Sequence, residues 1–550
     1  MVSWKNVLGT SVLTAGLIFG SLGSVGNLAS AKTSKDATHR SHITANVQNK
    51  EGTVPLVTKS TGGPFDLGLV NEDRVKDLLI RQGIVDKNAS AKTQNLQMQN
   101  YLNKRAKSAE AKGTDLQEMK QLRSKLQKQA GLPLKAPGVA KKDTTTVKKG
   151  GKYTSVDSIQ RENWNGPVRE DKILVLLIDY PDLPHGQVSE EDNPVLLYKG
   201  ADAYSRQHYQ DMIFGDNGYT GPDGQHFISL KQFYEQQSGG SYTVSGTVEG
   251  WYTAKHNADY YGGNYPDDSG SDRNPRALIA EALAAAAADG VNLSEYDIED
   301  QFDLDGDGNY REPDGIIDHL MVVHSGVGEE AGGGKLGPDA IWSHSWDLGG
   351  AYVIPGTAGQ SQAEYDISGN HSLMGYAYTV EPEDGAAGVF AHEYGHNLGL
   401  PDDYDTNYSH NSVGEPVGYW SIMSSGSWGG LIPGTEPTGF APKDKEFLQE
   451  NVKATVNGEL KDLNWFHDVV LNYDDLKNGT QVLKLDEASV KGTNADGVRI
   501  NLPDKETVVN TPTSGQYEYY GGGVNNATLS MTTSEPIDLT NAKSAQLTFN

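Results

Sequence analysis

The N-terminal third of the chain alternates apolar and polar residues with helical spacing. Residues 71–85 begin with Asn71, continue with an acidic first turn, and place Val75, Leu78 and Leu79 on one face. This spacing predicts an amphipathic helix with a capped start. Residues 95–129 predict one or two further helices, whereas residues 32–63 are polar and lack a periodic pattern.

From about residue 165 the pattern changes to alternating strands and helices. Residues 172–179 and 315–324 are short apolar runs that predict strands, and the alanine-rich residues 276–288 predict a helix. Residues 442–451 predict a further helix. Short alternating segments follow, such as residues 482–485 and 497–502, and they predict a β-rich C-terminal region.

Composition and the first residues indicate an exported protein. The chain has 550 residues, 36% of them hydrophobic, which favours two to four domains. Residues 1–31 combine a basic start, an apolar stretch and the sequence Ala29-Ser30-Ala31, as in a cleaved signal peptide. No later segment is apolar enough to span a bilayer. The absence of cysteine excludes disulfides and thiolate metal ligands.

Charge divides the chain into two parts. Residues 1–150 carry a net charge of +13 and residues 151–550 one of −40. We interpret residues 32–150 as a pro-segment that covers the acidic domain after it, instead of a basic arm for nucleic acid. The Lys-rich residues 135–150 are where we expect activation cleavage. The alternative interpretation is that these residues form a solvated spacer.

The strongest chemical signal is His392-Glu393-x-x-His396. Residues four apart lie on one helix face, so His392 and His396 can bind one metal ion while Glu393 reaches its water. Catalytic zinc takes three protein ligands and leaves one position to water. A third ligand is therefore required from outside the helix.

Gly399 allows the chain to reverse with φ > 0 and bring Asp402 to the metal as the third ligand. The neighbouring Asp403 remains an alternative. A rival arrangement, with Glu415 as ligand on a second helix, is disfavoured because Pro416 follows it. His319 and His324 are interpreted as structural or rim histidines.

Residues 418–424 contain Met423 in a Ser/Gly-rich turn about twenty residues after Asp402. Here the chain resembles the metzincins, whose zinc helix ends at a glycine and whose site is underlain by a Met-turn. The resemblance matches Met423 to that methionine. It also implies that the strand within residues 315–324 is the sheet edge above the cleft, pairing with an extended substrate. Tyr419 is a candidate for stabilising the oxyanion.

Residues 303–314 have the oxygen-ligand spacing of a calcium loop. The candidate ligands are Asp303, Asp305, Asp307, Asn309 and Asp314, and Gly308 at position 6 allows the sharp turn. Position 12 is Asp instead of Glu, and a strand is expected to follow instead of a helix, so the loop departs from an EF-hand. An Asx-rich surface turn is the alternative. Residues 267–272 form a weaker acidic run that is more typical of a loop.

Several blocks together resemble the immune inhibitor A family of secreted bacterial metallopeptidases. They are residues 66–74, 238–242 with Trp251, 339–344, and 392–405 with the tail Leu400-Pro401-Asp402-Asp403-Tyr404-Asp405. The resemblance covers about residues 64–550. It implies a latent precursor, a catalytic domain of metzincin type that depends on zinc and calcium, C-terminal β-sandwich modules, and proteolysis of extracellular proteins.

The predicted protein is thus a secreted zinc endopeptidase of α+β class, in which Glu393 is the general base for a zinc-activated water. Its regions are a signal peptide (1–31), a mainly helical pro-segment (32–150), the metzincin-like catalytic domain with a mixed twisted sheet (151–460) and a β-rich domain (461–550), cut short by the end of the chain. We expect a monomer that acts on extended polypeptides and is inhibited by its own pro-segment through His39, His42, Asp66 or a free α-amino group. The alternatives are an inactive surface or adhesion protein and a metal-dependent hydrolase of a non-peptide bond.

Overall fold

A computed structural model of the chain describes residues 53–54, 63, 65–110, 163–193, 195–200, 202–265, 271–301, 307, 309–404, 417–486, 491–503, 540–541 and 543–544. Its contacts divide the chain into two compact units, Ala37–Asn501 and Met1–Asp36 with Leu502–Asn550. The elements named below belong to the first unit. The predicted signal peptide lies outside the described residues. Among the described residues, no helix combines the length and apolar character needed to cross a bilayer.

A six-stranded mixed sheet forms the centre of this unit. Its order is β1 (Thr53–Val54), β7 (His344–Val353), β8 (Met374–Pro382), β6 (His319–His324), β2 (Arg169–Asp179) and β5 (Tyr242–Thr253). Strands β8, β6, β2 and β5 run parallel to one another, whereas β7 is antiparallel to β8 and β1 is antiparallel to β7. Three two-stranded sheets are β3 (Tyr219–Thr220) with β4 (His226–Phe227), β9 (Ala454–Val456) with β10 (Glu459–Lys461), and β11 (Asp468–Asn472) with β12 (Gly497–Asn501).

Helices cover both faces of the large sheet. They are α1 (Glu72–Arg81), α2 (Ala91–Glu110), α3 (Arg206–Phe214), α4 (Leu230–Gln237), α5 (Ala258–Tyr261), α6 (Pro275–Asp289), α7 (Ala387–Asn397), α8 (Pro442–Asn451) and α9 (Tyr473–Lys477). Strand β2 is apolar on both sides, because alternate side chains enter two different cores. Ile173, Val175 and Leu177 pack with α3, α4 and α7, and Leu174, Leu176 and Ile178 pack with α6.

The predicted elements are largely confirmed. Helix α1 begins at Asn71, whose side chain accepts a hydrogen bond from the Arg74 N–H, and buries Val75, Leu78 and Leu79. Strand β2 and helices α6 and α8 cover the predicted segments. Helix α2 accounts for part of residues 95–129, and residues 111–129 lie outside the described part. Residues 497–501 form β12, whereas residues 482–485 contribute only an isolated bridge from Leu485.

The expectation that residues 315–324 supply the edge strand is wrong. Strand β6 lies inside the sheet between β2 and β8, and all six of its residues are buried. A strand apolar on both faces belongs in the interior of a parallel sheet, because helices cover both of its sides. The antiparallel strand β7 instead borders the parallel block, and β1 pairs with it through Thr53 and Val54.

The N-terminal segment, defined here as residues 65–110, packs on the rest of the unit. A separate apolar cluster joins it to Trp342 and Tyr404; its members from the segment are Phe65, Leu67, Val70, Val75, Leu79, Val85, Met98, Leu102 and Ala106. Leu69 is fully buried in the larger core that contains α7. The segment thus lies against the helix that carries the histidine motif.

Candidate active site

Helix α7 is buried along its whole length from Ala387 to His396. Residues 418–428 and Leu69 of the N-terminal segment pack against it, in addition to the sheet. Two glycines permit this close packing. A Cβ at Gly388 would lie 2.1 Å from the Ser427 carbonyl oxygen, and one at Gly395 would lie 2.7 Å from the Met423 Sδ.

The chain reverses directly after α7. Gly399 has φ +92°, a conformation that favours glycine, and the Leu400 N–H returns to the Gly395 carbonyl oxygen at 3.0 Å. The reversal carries Asp402 back over the helix, as the spacing predicts.

Both histidines present Nε2 to the same point. His392 Nδ1 donates to the Ile422 carbonyl oxygen at 2.5 Å, and His396 Nδ1 donates to the Leu400 carbonyl oxygen at 2.8 Å. A carbonyl oxygen only accepts, so each Nδ1 carries a hydrogen and each Nε2 faces the shared point, where a metal ion could take the place of a proton. The residue before Met423 therefore orients one metal-facing histidine, and Met423 itself is fully buried beneath the helix.

The two neighbouring aspartates lie in different surroundings. Asp402 Oδ1 is 3.6 Å from His392 Nε2 and 3.4 Å from His396 Nε2, and it has no hydrogen-bond partner in the described part of the chain. Asp403 is instead buried against Lys443 of α8, and its N–H donates to the Met423 carbonyl oxygen. This placement supports Asp402 over Asp403 as the third ligand.

Glu393 is fully buried next to these groups. Neither carboxylate oxygen has a hydrogen-bond partner among the residues that the structure describes. Burial, together with the nearby charge of Asp66, raises the pKa of Glu393 to about 8. A carboxyl group in such surroundings can accept and release a proton close to neutral pH.

Asp66 of the N-terminal segment occupies the space between the histidines. Its Oδ2 lies 2.8 Å from His392 Nε2 and 3.3 Å from His396 Nε2. Its Oδ1 accepts hydrogen bonds from the Gly68 N–H at 2.7 Å and the Tyr404 hydroxyl at 3.1 Å. Of the four candidates for blocking the metal, the structure brings Asp66 to the site, while His39, His42 and the terminal amine lie outside the described residues.

These contacts shift the pKa values of the groups strongly. Burial alone would raise the pKa of Asp66, but the charges and hydrogen bonds of the two histidines hold it well below its usual range. Burial alone would lower the pKa of His392, but the Asp66 carboxylate raises it to about 10. The site thus holds negative charge and positive charge in direct contact.

Four side chains can hold one metal ion. The ligand atoms of Asp66, His392, His396 and Asp402 all lie within 4.8 Å of one another. Two imidazole nitrogens with carboxylate oxygens are a donor set that suits zinc. The sequence motif predicts three of these residues, whereas Asp66 comes from more than three hundred residues upstream.

Tyr404 is a residue of the site that sequence reasoning missed. Its hydroxyl contacts Asp66 Oδ1 and accepts the Leu67 N–H at 3.0 Å. Tyr419, the predicted oxyanion stabiliser, is instead 65% exposed in a 3-10 turn, Gly418–Trp420. The position of Tyr404 two residues after Asp402 was the available signal, because a residue so close to a metal ligand shares its surroundings.

Asp171, Glu299 and His319 form a second group whose ligand atoms approach within 4.8 Å. Arg169 and Arg311 each contact both carboxylates, and so they already neutralise the group. Both His319 and the other strand histidine, His324, are buried in β6, in agreement with a structural role.

The calcium-type loop is described only in part. Asp303 and Asp305 lie outside the described residues, whereas Asp307, Asn309 and Asp314 are described. The Asn309 N–H donates to Asp307 Oδ1 at 2.7 Å, and buried Asp314 receives the Ile316 N–H at 2.7 Å. Strand β6 follows the loop, as predicted, where an EF-hand would have a helix.

A mixed sheet that carries a buried helix with two convergent imidazoles, a nearby aspartate and an adjacent glutamate defines a metallopeptidase. Residues 159–455 match the family model described as "Immune inhibitor A peptidase M6, catalytic domain". The chain belongs to this family, as its resemblance indicates.

Two relatives illustrate the similarity. The "Pre-pro-metalloprotease PrtV" of Vibrio cholerae serotype O1 (strain ATCC 39315 / El Tor Inaba N16961) is 41% identical over 465 residues, 83% of this chain and 46% of that protein. The "Immune inhibitor A" of Bacillus thuringiensis subsp. alesti is 43% identical over 423 residues, 76% of this chain and 58% of that protein. The chain therefore spans about half the length of the curated relatives that it matches.

Proposed function

We propose that this protein is a secreted zinc endopeptidase made as a latent precursor. The observation that carries the proposal is the convergence of His392, His396 and Asp402 beside the buried carboxylate of Glu393. The orientation of both histidines fits a zinc ion, and so does the Asp402 oxygen, which has no hydrogen-bond partner among the described residues. When bound, zinc would acidify a water molecule and polarise the scissile carbonyl group.

Glu393 performs the proton transfers in this mechanism. Its carboxylate takes a proton from the attacking water and later delivers it to the leaving amine. Its buried carboxylate beside the ligand residues supports this role, since the group must reach the attacking water and bind its proton between the two steps. His392 and His396 keep their orientation because backbone carbonyls hold their Nδ1 hydrogens.

Metal content tests the ligand set and the function together. Asp402→Ala should reduce bound zinc well below one per chain and lower peptide cleavage by about a hundredfold, since loss of a ligand weakens both. Asp403→Asn should retain zinc. Zinc is measured by mass spectrometry, and cleavage is measured after chelation and after zinc is added back. Full zinc and full activity in Asp402→Ala would reject this site.

Tyr404 is proposed to stabilise the oxyanion, with Tyr419 as the alternative. The support is that the Asp66 carboxylate lies between Tyr404 and the histidines, with Oδ1 bound by the tyrosine and Oδ2 facing the imidazoles, so that the Tyr404 hydroxyl is directed to the place where an oxygen of the tetrahedral intermediate would develop charge. Tyr404→Phe should lower kcat by about a hundredfold with little change in KM. Tyr419→Phe serves as the matched control. A large loss of kcat in Tyr419→Phe, with none in Tyr404→Phe, would instead assign the oxyanion role to Tyr419.

Latency is proposed to come from residues 32–150 acting as a pro-segment. Asp66 fills the space above the motif, and β1 covers β7. The segment is also fixed by ion pairs, such as Arg74 with Asp384 and Arg105 with Asp272. The net charges of the two parts have opposite sign, which adds attraction. The name of the Vibrio relative, a pre-pro-metalloprotease, agrees with this.

Calcium is proposed to stabilise the catalytic domain through residues 303–314. The support is the ligand spacing and the buried position of Asp314 at its end. Adding 1 mM calcium to calcium-free protein should raise Tm by about 5 °C, because calcium binds only the folded loop. Asp314→Asn should lose most of this shift in differential scanning fluorimetry. Asp223→Asn, at an exposed turn, should keep it; an unchanged shift in Asp314→Asn would exclude the loop.

The remaining assignments complete the proposal. A metzincin-type architecture is supported by Met423 beneath Gly395 and by the reversal at Gly399. Secretion is supported by the signal-like residues 1–31, and a β-rich region from residue 461 by β11 and β12. The substrates are extended polypeptides, and the protein acts as a monomer without nucleic acid. The competing proposal, an inactive surface protein, is disfavoured because the motif is intact.

A further inference from the structure

Arg105 is a guanidinium group buried between the N-terminal segment and the catalytic domain. It is only 1% exposed, and its Nη2 lies 3.1 Å from Asp272 Oδ1. Its Nη1 pairs with Glu329. The guanidinium carbon lies 4.7 Å from the ring centroid of Trp342, within cation–π distance. One cation is thus held by two carboxylates and an aromatic face.

The groups that surround this cation differ in origin. Arg105, Tyr101 and Phe65 belong to the N-terminal segment, whereas Asp272, Glu329 and Trp342 belong to the catalytic domain. Backbone hydrogen bonds fix the catalytic half: the Trp342 N–H donates to Asp272 Oδ2 at 2.9 Å, and the Glu329 N–H donates to the Ile341 carbonyl oxygen at 3.0 Å. These two contacts lie within the catalytic domain and do not involve the segment.

The catalytic half lacks a cation of its own among the described residues. The ion pairs of Asp272 and Glu329 in the described part of the chain are both with Arg105, and Glu330 and Asp339 add further negative charge nearby. Arg273, the nearest basic residue in sequence, donates to the carbonyl oxygens of Gly263 and Asp259 instead. Two adjacent carboxylates without a counter-ion are costly, so the vacated pocket favours binding of a new cation.

The pocket also adjoins the active site. The indole Nε1 of Trp342 donates to the Asp66 carbonyl oxygen at 2.7 Å, and the Asp66 carboxylate contacts both motif histidines. One side chain therefore touches both the cation and the backbone next to the metal ligands. A polypeptide held across the histidines can place one of its side chains here.

We propose that Asp272, Glu329 and Trp342 form a guanidinium-binding subsite that takes an arginine side chain of the substrate once the pro-segment is released. This rests on the proposed peptidase function and its latency. A planar guanidinium matches two carboxylates and an aromatic face, as Arg105 demonstrates. Calcium is the less suitable occupant because it requires six to eight oxygen ligands.

The first experiment uses the intact chain and requires no proteolysis. Arg105→Ala lowers Tm, and 10 mM methylguanidinium or arginine restores at least about 2 °C of it, while citrulline does not. Adding Asp272→Asn and Glu329→Gln to Arg105→Ala abolishes this recovery. If Arg105→Ala does not fold, the same experiment is done with Arg105→Gln. Equal recovery with citrulline, recovery in the triple variant, or recovery by calcium alone overturns the pocket.

The second experiment uses the processed enzyme and quenched-fluorescence peptides. The peptides differ only by arginine or citrulline at one of four positions on either side of the cleaved bond. We expect one position where arginine raises kcat/KM about tenfold or more. Glu329→Gln should reduce that arginine-to-citrulline ratio to near one, whereas Glu364→Gln, at an exposed position, should preserve it.

The results separate the two proposals. Cleavage without any arginine preference, or a preference that survives Glu329→Gln, overturns the subsite while the peptidase stands. Absence of cleavage of every peptide by the processed wild-type protein overturns the peptidase, and the intact-chain recovery then still decides whether the pocket binds guanidinium.

Discussion

Glu393→Ala is expected to lower kcat/KM for a peptide substrate by about 10³-fold while zinc stays at about one per chain. The reason is that Glu393 carries the proton but is not placed as a ligand: its carboxylate is buried without a hydrogen-bond partner among the described residues, whereas the ligand atoms converge on His392, His396 and Asp402. Activity is measured after wild-type and variant precursors have received the same activating protease.

Glu364→Gln is the control for this experiment, since Glu364 is exposed and distant in sequence from the motif. It should retain both zinc and activity. If Glu393→Ala cleaves casein at the wild-type rate, Glu393 is not the general base. Loss of zinc together with activity would mean that Glu393 has a structural role at the metal site instead.

Asp66→Ala is expected to raise the activity of the uncleaved precursor by about a hundredfold. In the wild-type chain the Asp66 carboxylate lies against both histidines and holds a hydrogen bond from Tyr404, so it takes the place that water and substrate need. Alanine removes this anion but leaves the other contacts of the segment. The population of open, competent protein should therefore rise.

The measurement is the initial rate on a short fluorogenic peptide, with gel electrophoresis at each time point to show that the precursor is intact. Asp77→Ala is the matched control, because Asp77 is an exposed aspartate in the same segment. It should stay as inactive as the wild-type precursor. If the Asp66→Ala precursor binds zinc fully but does not cleave the peptide, inhibition by Asp66 would be contradicted.

The two predictions together distinguish latency from catalysis. A double variant, Asp66→Ala with Glu393→Ala, should be inactive although its cleft is open, because access without the base is insufficient. If the double variant keeps the activity of Asp66→Ala, the role of Glu393 fails while that of Asp66 stands.

The local motif was sufficient for most of the metal site. His392 and His396 share a face because the helix repeats every 3.6 residues, and the Gly399 reversal follows from the φ that glycine alone adopts easily. The choice of Asp402 over Asp403 needed the structure. Both aspartates follow the same turn, and only the packing of α8 shows that Asp403 is engaged by Lys443.

Long-range contacts were not predictable in the same way. Asp66 and Arg105 were two charged residues among many, and their partners lie hundreds of residues away. The edge-strand error has the same origin: an apolar run predicts burial of β6, but its place in the sheet depends on which strands pair with it.

The sequence by itself therefore determined the elements whose cause is local: the capped helix α1, the two-sided strand β2, the histidine spacing and the glycine reversal. Tertiary structure alone decided which residues complete the site, namely Asp66 between the histidines, Tyr404 on its carboxylate and Ile422 behind His392. The physical reason is that helical and turn preferences act over a few residues, whereas metal-facing groups and buried ion pairs depend on chain segments brought together only by packing of the core.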